Sequence, residues 1–168
     1  MEIRQLTPSE APVYRALRLR ALREHAEAFS SSHQDDEMLP LAATEKRLLP
    51  GEASRFWGAF DDGKLCGMVG LEREQRSKTR HKAKVVGMYV APEQAGRGVG
   101  RALLDRLVAE ARLSGVEVLV LTVTDGNRAA TKLYEHAGFH SFGVEPDAIR
   151  VDGRSFAKRH MVIELKPT

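Results

Sequence analysis

Cysteine occurs once in this chain, at Cys66. A lone cysteine excludes an internal disulfide and supplies no cysteine-based metal pattern, which fits a reducing compartment. Long apolar runs are missing too. No segment approaches the roughly 20 residues needed to cross a bilayer. The opening Met1-Glu2-Ile3-Arg4-Gln5-Leu6 lacks the apolar stretch of a secretory leader. We therefore expect a cytoplasmic protein with no membrane partner. Charge of one sign is not in excess either: net charge is +3 over 168 residues, too weak to argue for nucleic acid. The one basic stretch, Arg73 to Lys84, has no interleaved aromatic for base stacking. It reads as a solvated connection, or as a surface for an acidic partner. Repeats and low-complexity tracts are absent as well. What is present is enough apolar residue, 42%, to bury a core. One domain over 1–168 is the expectation.

Along the chain, Glu2–Leu6 alternates as a short strand does. Thr7-Pro8-Ser9-Glu10 is a helix-start signal, with Thr7 as N-cap and Glu10 three residues on. That helix should run to about Glu24 and bury Val13, Leu17, Ala21 and either Leu19 or Leu22. Ala28–Met38 is polar and reads as a loop, with Pro40 opening a second helix to about Leu49. Phe56–Phe60 and Leu65–Glu72 read as a hairpin about Asp61-Asp62-Gly63-Lys64. Strands are then expected at 84–90 and 116–124, and helices at 99–114 and 128–137, ended by Gly115 and Gly138. A last strand pair, 139–144 and 156–165, flanks a long connection over 146–154. The alternation with hairpins implies a mixed α/β fold.

The densest signal lies at 85–101. A strand ends at Val90, Pro92 stops it, and Gly96, Gly98 and Gly100 follow at alternate positions before an amphipathic helix. A strand, a glycine turn and a helix N-terminus together aim several N–H groups at one anion. Gly-Lys-Ser/Thr is lacking, since Arg101-Ala102 follows Gly100, so this is not a P-loop. Gly-x-Gly-x-x-Gly fails as well, with Arg101 or Leu103 in the sixth place. A bare strand–helix turn would need only one of the glycines.

Val90-Ala91-Pro92-Glu93 with Gly96-Arg97-Gly98-Val99-Gly100-Arg101 resembles the pyrophosphate loop of GCN5-related N-acetyltransferases. Leu121 to Asn127, and Leu133-Tyr134-Glu135-His136-Ala137-Gly138-Phe139, resemble a second block of that family. The resemblance implies a single-domain, mostly antiparallel sheet with flanking helices and a central splayed strand pair. It also implies acetyl transfer from acetyl-coenzyme A to an amine in a ternary complex, with no metal. The protein would be a monomer or homodimer. A non-catalytic acyl-coenzyme A sensor on the same fold is the alternative, although a sensor does not need an acid at Tyr134.

Under that resemblance the N–H groups of Gly96, Arg97, Gly98, Val99, Gly100 and Arg101 surround the pyrophosphate, and Arg97, Arg101, Arg128 and Lys132 lie nearby. Met88, Tyr89 and Val90 pair with the pantetheine arm, and Val90 N–H polarises the thioester carbonyl. Asn127 matches a coenzyme-binding asparagine and is equally good N-cap chemistry. Tyr134 matches the general acid for the departing thiolate, or is a core aromatic beside Leu133 and Phe139. The base is Glu72, His81 or water, because Thr122 stands where some relatives carry Glu. Ala95 departs from the family's usual Gln or Arg, and Gln94 lies one place early. Cys66 as a covalent acetyl carrier is the weakest candidate. Asp35-Asp36-Glu37 could attract a cationic acceptor. His160, opening the closing strand, has no assigned role.

Overall fold

The computed structural model describes residues 1–166. One seven-stranded sheet has the order β1-β2-β3-β4-β5-β7-β6. Its strands are β1 (Glu2–Gln5), β2 (Ser54–Asp61), β3 (Lys64–Arg73), β4 (Lys82–Val90), β5 (Val118–Thr124), β6 (His140–Val151) and β7 (Arg154–Glu164). Every neighbouring pair is antiparallel except β4 and β5. The helices are α1 (Ala11–Glu24), α2 (His33–Met38), α3 (Leu41–Arg47), α4 (Val99–Leu113) and α5 (Arg128–His136). No described helix is long and apolar enough to cross a membrane.

The expected start of α1 is present: Thr7 N–H donates to Glu10 Oε1 at 3.0 Å, and a 3-10 turn at Pro8–Glu10 leads into the helix. Its buried face differs from expectation. Ala11, Tyr14, Leu17, Arg18, Ala21 and Leu22 are buried, whereas Val13 is 49% exposed. Two connections expected as loops are also regular. His33–Met38 forms α2, started by Ser32, whose hydroxyl accepts from Asp35 N–H at 3.0 Å. The stretch 146–154 forms the turn end of a long β6–β7 hairpin. Pro146 is tolerated because β6 is an edge strand and bulges between Glu145 and Ile149.

Helix α4 packs its apolar face on the sheet with Leu103, Leu104, Leu107 and Ala111 fully buried. Each such leucine contributes roughly 1.5–3 kcal/mol of burial. Gly115 ends the helix in a left-handed conformation, with Val116 N–H on the Ala111 carbonyl and Gly115 N–H on that of Arg112. Arg73, at the start of the basic segment, donates to the Ser114 carbonyl at 2.7 Å and to that of Arg80 at 2.9 Å. The segment therefore closes the end of α4, as expected of a structural connection.

The sheet opens in its middle. β4 and β5 pair only at Lys82–Lys84 against Val118–Val120. Beyond that, Gly87 and Met88 stand opposite the single residue Val69, a bulge on β4 with Gly87 at φ +61°. A bulge of this kind bends its strand and raises its twist, so β4 leaves β5 and its last residues have a free edge. This is the splayed central pair implied by the resemblance.

Candidate active site

The direction of the free edge follows from ladder parity. Ala91 N–H donates to the Cys66 carbonyl at 2.8 Å, and Gly67 faces Val90. Hydrogen-bonded and non-hydrogen-bonded pairs alternate along an antiparallel ladder. Tyr89 N–H is therefore turned to β3, while Val90 N–H faces the opening. Of the three residues expected to offer backbone along this edge, Tyr89 instead turns its N–H to β3. Its hydroxyl donates to Glu24 in a short bond, and burial with that carboxylate pushes its pKa up to about 12.

Beside the edge stands the glycine turn. Gly96 and Gly98 have φ +77° and +73°, and among the described residues no atom lies within 4 Å of a Cβ built on either. The first α-helical bond of α4 is Ala102 N–H to the Gly98 carbonyl. The N–H groups of Val99, Gly100 and Arg101 are thus left without helical partners. Those of Gly96 and Gly98 have no backbone acceptor among the described residues either, which leaves five unpartnered donors at a positive helix end, chemistry that suits an anion. One expectation is corrected. Arg97 N–H is not free, since it donates to the Gln94 carbonyl at 3.3 Å. Gly100 has ordinary φ, and its lack of a Cβ serves packing on Leu133, whose Cδ2 would lie 3.3 Å away.

The basic side chains of the turn point elsewhere. Arg97 binds Asp61 at 2.9 Å and also reaches the Gln94 side chain, which itself donates to Asp61 at 3.2 Å. Arg101 binds Asp105 and the His136 carbonyl. Gln94, one place from the family position, thus ties the turn to the β2–β3 hairpin. The Arg97 guanidinium holds the Asp61 carboxyl below the usual carboxylate range. An exposed pair of this type is screened by solvent and contributes little to stability. Arg97→Ala should then change affinity for a diphosphate ligand by no more than about fivefold, measurable by calorimetry; a larger loss would place the guanidinium on the ligand.

A cavity of about 480 Å³ runs along the glycine turn and the open edge, and one of about 440 Å³ lies beyond it. Met88, Asn127, Ala130 and Leu133 border both. Tyr134 and Glu72 both line the second cavity. Tyr134 comes from α5, and the helix end fixes it. Gly138 at φ +105° lets Phe139 N–H return to the Tyr134 carbonyl at 3.0 Å, with the two rings edge to face at 6.0 Å. Burial pushes the Tyr134 phenol up to about 12. Glu72 arrives from β3 and lies 3.7 Å from Arg47 of α3. Asn127 caps α5 through Oδ1 on Ala130 N–H at 3.2 Å, so its capping role is seen directly.

Other candidates lie apart. His81 does not line either cavity, and its carbonyl accepts from Glu117 and Val118. Cys66 is buried, its thiol donating to the Ala59 carbonyl and pushed up in pKa by burial, away from both cavities. Asp36 is bound to Arg18 at 2.6 Å and braces α2 against α1, while Asp35 and Glu37 stay exposed. His160 binds Glu145 at 3.0 Å. Sequence reasoning misses three cations in the second cavity: Arg18, Arg47 and Lys158. An arginine on the buried face of α1 is legible only once that face is placed. Lys158 lies three residues from the fully buried Met161 of β7, hence on the opposite face of the strand, so parity gives no sign of its burial.

A seven-stranded mixed sheet that opens between β4 and β5, with unpartnered N–H groups at the start of α4 beside the opening, defines an acetyltransferase-type fold. The chain belongs to the acetyltransferase (GNAT) family, whose model matches residues 19–139. It is 35% identical over 81 residues to an L-methionine sulfoximine/L-methionine sulfone acetyltransferase of Pseudomonas aeruginosa, covering 48% of this chain and 47% of that one. The chain spans about half the length, or less, of the first curated relatives it matches. Among solved structures, a GNAT acetyltransferase from Streptococcus pneumoniae superposes with TM-score 0.89 at 25% identity, over 98% of this chain and 99% of that one. The acetyltransferase yncA of Salmonella typhimurium, solved with acetyl-CoA, gives TM-score 0.82 at 24% identity, over 100% of this chain and 95% of that one.

Proposed function

We propose that this protein transfers acetyl from acetyl-CoA to a primary amine by direct attack within a ternary complex. The observation carrying this reading is the free β4 edge, with the unpartnered N–H groups at one end and the Tyr134–Glu72 cavity at the other. The likeness to yncA, described with acetyl-CoA, supports the coenzyme. The unpartnered N–H groups of 96, 98, 99, 100 and 101 suit its pyrophosphate, and the space over Gly96 and Gly98 leaves room for it. When bound, acetyl-CoA supplies an activated acyl thioester.

The chain's own groups then divide the work. Met88 and Val90 offer backbone along the pantetheine arm, and Val90 N–H polarises the thioester carbonyl. Tyr134 holds its proton at neutral pH and donates it to the departing sulfur. Glu72, on the acceptor side, takes the proton of the attacking ammonium directly or through water. Glu72→Gln should lower kcat/KM by about 10²-fold if Glu72 is the base, and the loss should shrink as pH rises and free amine accumulates. A loss that is the same at every pH would assign Glu72 only to holding Arg47. The general test is thiol release from acetyl-CoA across an amine panel. Tight coenzyme binding without turnover of any amine would favour the sensor.

A further inference from the structure

Lys158 does not fit the reaction as described so far. It is 6% exposed, lies on β7 opposite Thr124 of β5 and Glu145 of β6, and lines the acceptor cavity. A buried ammonium is stable only when paired or hydrogen-bonded. Among the described residues it makes neither a hydrogen bond nor an ion pair. The acid across the strand is already taken, since Glu145 binds His160 at 3.0 Å. The other two cations of the cavity have partners: Arg18 binds Asp36 at 2.6 Å, and Arg47 lies 3.7 Å from Glu72. Burial lowers the pKa of Lys158 below the ordinary lysine value even though the Glu145 and Glu27 carboxylates pull it the other way, and neither of them bonds it directly.

We propose that Lys158 anchors an anionic group of the acceptor, so that the substrate is a small amine that also carries a carboxylate or similar oxyanion. The inference rests on the acetyl-transfer reading of the same site. Placement favours an anchor over a base. β7 lies beyond β5 from β4, so Lys158 addresses the part of the acceptor remote from the thioester edge, while Glu72 comes from β3 beside it. The cavity, about 440 Å³, suits a molecule of amino-acid size. Arg18 and Arg47 add to a field that favours an anion. The same chemistry could come from a free amino acid or from the acidic N-terminal residue of a peptide.

The test uses amines in matched pairs, carboxylate against carboxamide: leucine with leucinamide, glutamate with glutamine, and amidated Asp-Ala with amidated Asn-Ala. Thiol release from acetyl-CoA is followed with the full chain. The carboxylate member of at least one pair should be preferred about tenfold or more in kcat/KM, mostly through KM, as expected for a hydrogen bond to a charged group. A preference confined to the dipeptides identifies a peptide source; one among the free amino acids identifies a small-molecule acceptor. Lys158→Met should erase the preference, Lys158→Arg should keep it, and acetyl-CoA affinity should stay unchanged in both. Turnover that is blind to the carboxylate, or a Lys158→Met loss equal for both members of a pair, overturns the anchor alone. No turnover with any amine overturns the acetyl-transfer reading and the anchor with it. Should Lys158→Met not fold, the wild-type pairs and Lys158→Arg decide.

Discussion

Tyr134→Phe is expected to lower kcat by roughly 10²- to 10⁴-fold, the range for removing a positioned general acid. Affinity for acetyl-CoA should not change. The substitution deletes one hydroxyl and leaves the ring on Phe139, so packing and the Gly138 helix end survive. A core aromatic without a chemical role would show no such loss, and unchanged kcat would remove Tyr134 from the mechanism. The pH profile gives a second readout. The folded-state value of about 12 lies above the ordinary 10.0, so the phenol stays protonated through neutral and mildly alkaline pH. The wild-type rate should therefore show no basic limb from this group below about pH 11. The same shift has a consequence for stability. Its contribution is whole below pH 10 and is lost as pH rises through about 12.

The second large effect is expected at the glycine turn. Gly98 is the N-cap of α4 at φ +73°, ψ +17°. An alanine there incurs about 1–2 kcal/mol for the left-handed conformation. No described protein atom lies within 4 Å of its Cβ, so the methyl would project into the space assigned to the pyrophosphate. Gly98→Ala should weaken acetyl-CoA about tenfold or more, as measured by calorimetry, because strain and obstruction act together. Gly153→Ala is the control. It sits at φ +76° in the β6–β7 turn, also with nothing within 4 Å, and carries the same backbone cost without bordering the cradle. It should lower stability to a similar degree and leave coenzyme affinity alone. Wild-type affinity in Gly98→Ala would sink the cradle assignment.

The glycine turn and the Tyr134–Phe139 helix end are legible in the sequence because their geometry is set within a few residues. A left-handed backbone at 96, 98 and 138 needs glycine wherever the chain goes next. The Thr7–Glu10 cap is legible for the same reason. The features that escape a sequence reading have tertiary causes. Helix α2 is six residues long with no buried residue, too short to form alone. It is held by Ser32 and by the Asp36–Arg18 pair, and an ion pair across 18 residues leaves no periodic trace. β6 runs through Pro146 because β7 supplies its hydrogen bonds on one side and its other edge is free. Apolarity alone points Val13 inward, yet the sheet lies against the side of α1 that carries Ala11, Tyr14 and Arg18.

By itself, then, the sequence determined most of the elements, the glycine turn and the candidate residues for polarising a carbonyl and donating a proton. Tertiary structure decided how they meet. Only the bulge at Gly87 and the three-residue contact of β4 with β5 open the edge that carries Val90 N–H. Only the stacking of β5, β7 and α3 around that opening puts Glu72, Arg47 and Lys158 at one cavity. The physical reason is range. Capping and left-handed turns are fixed by neighbours in sequence, whereas a cavity's charge depends on side chains from distant segments and on which of them find partners elsewhere.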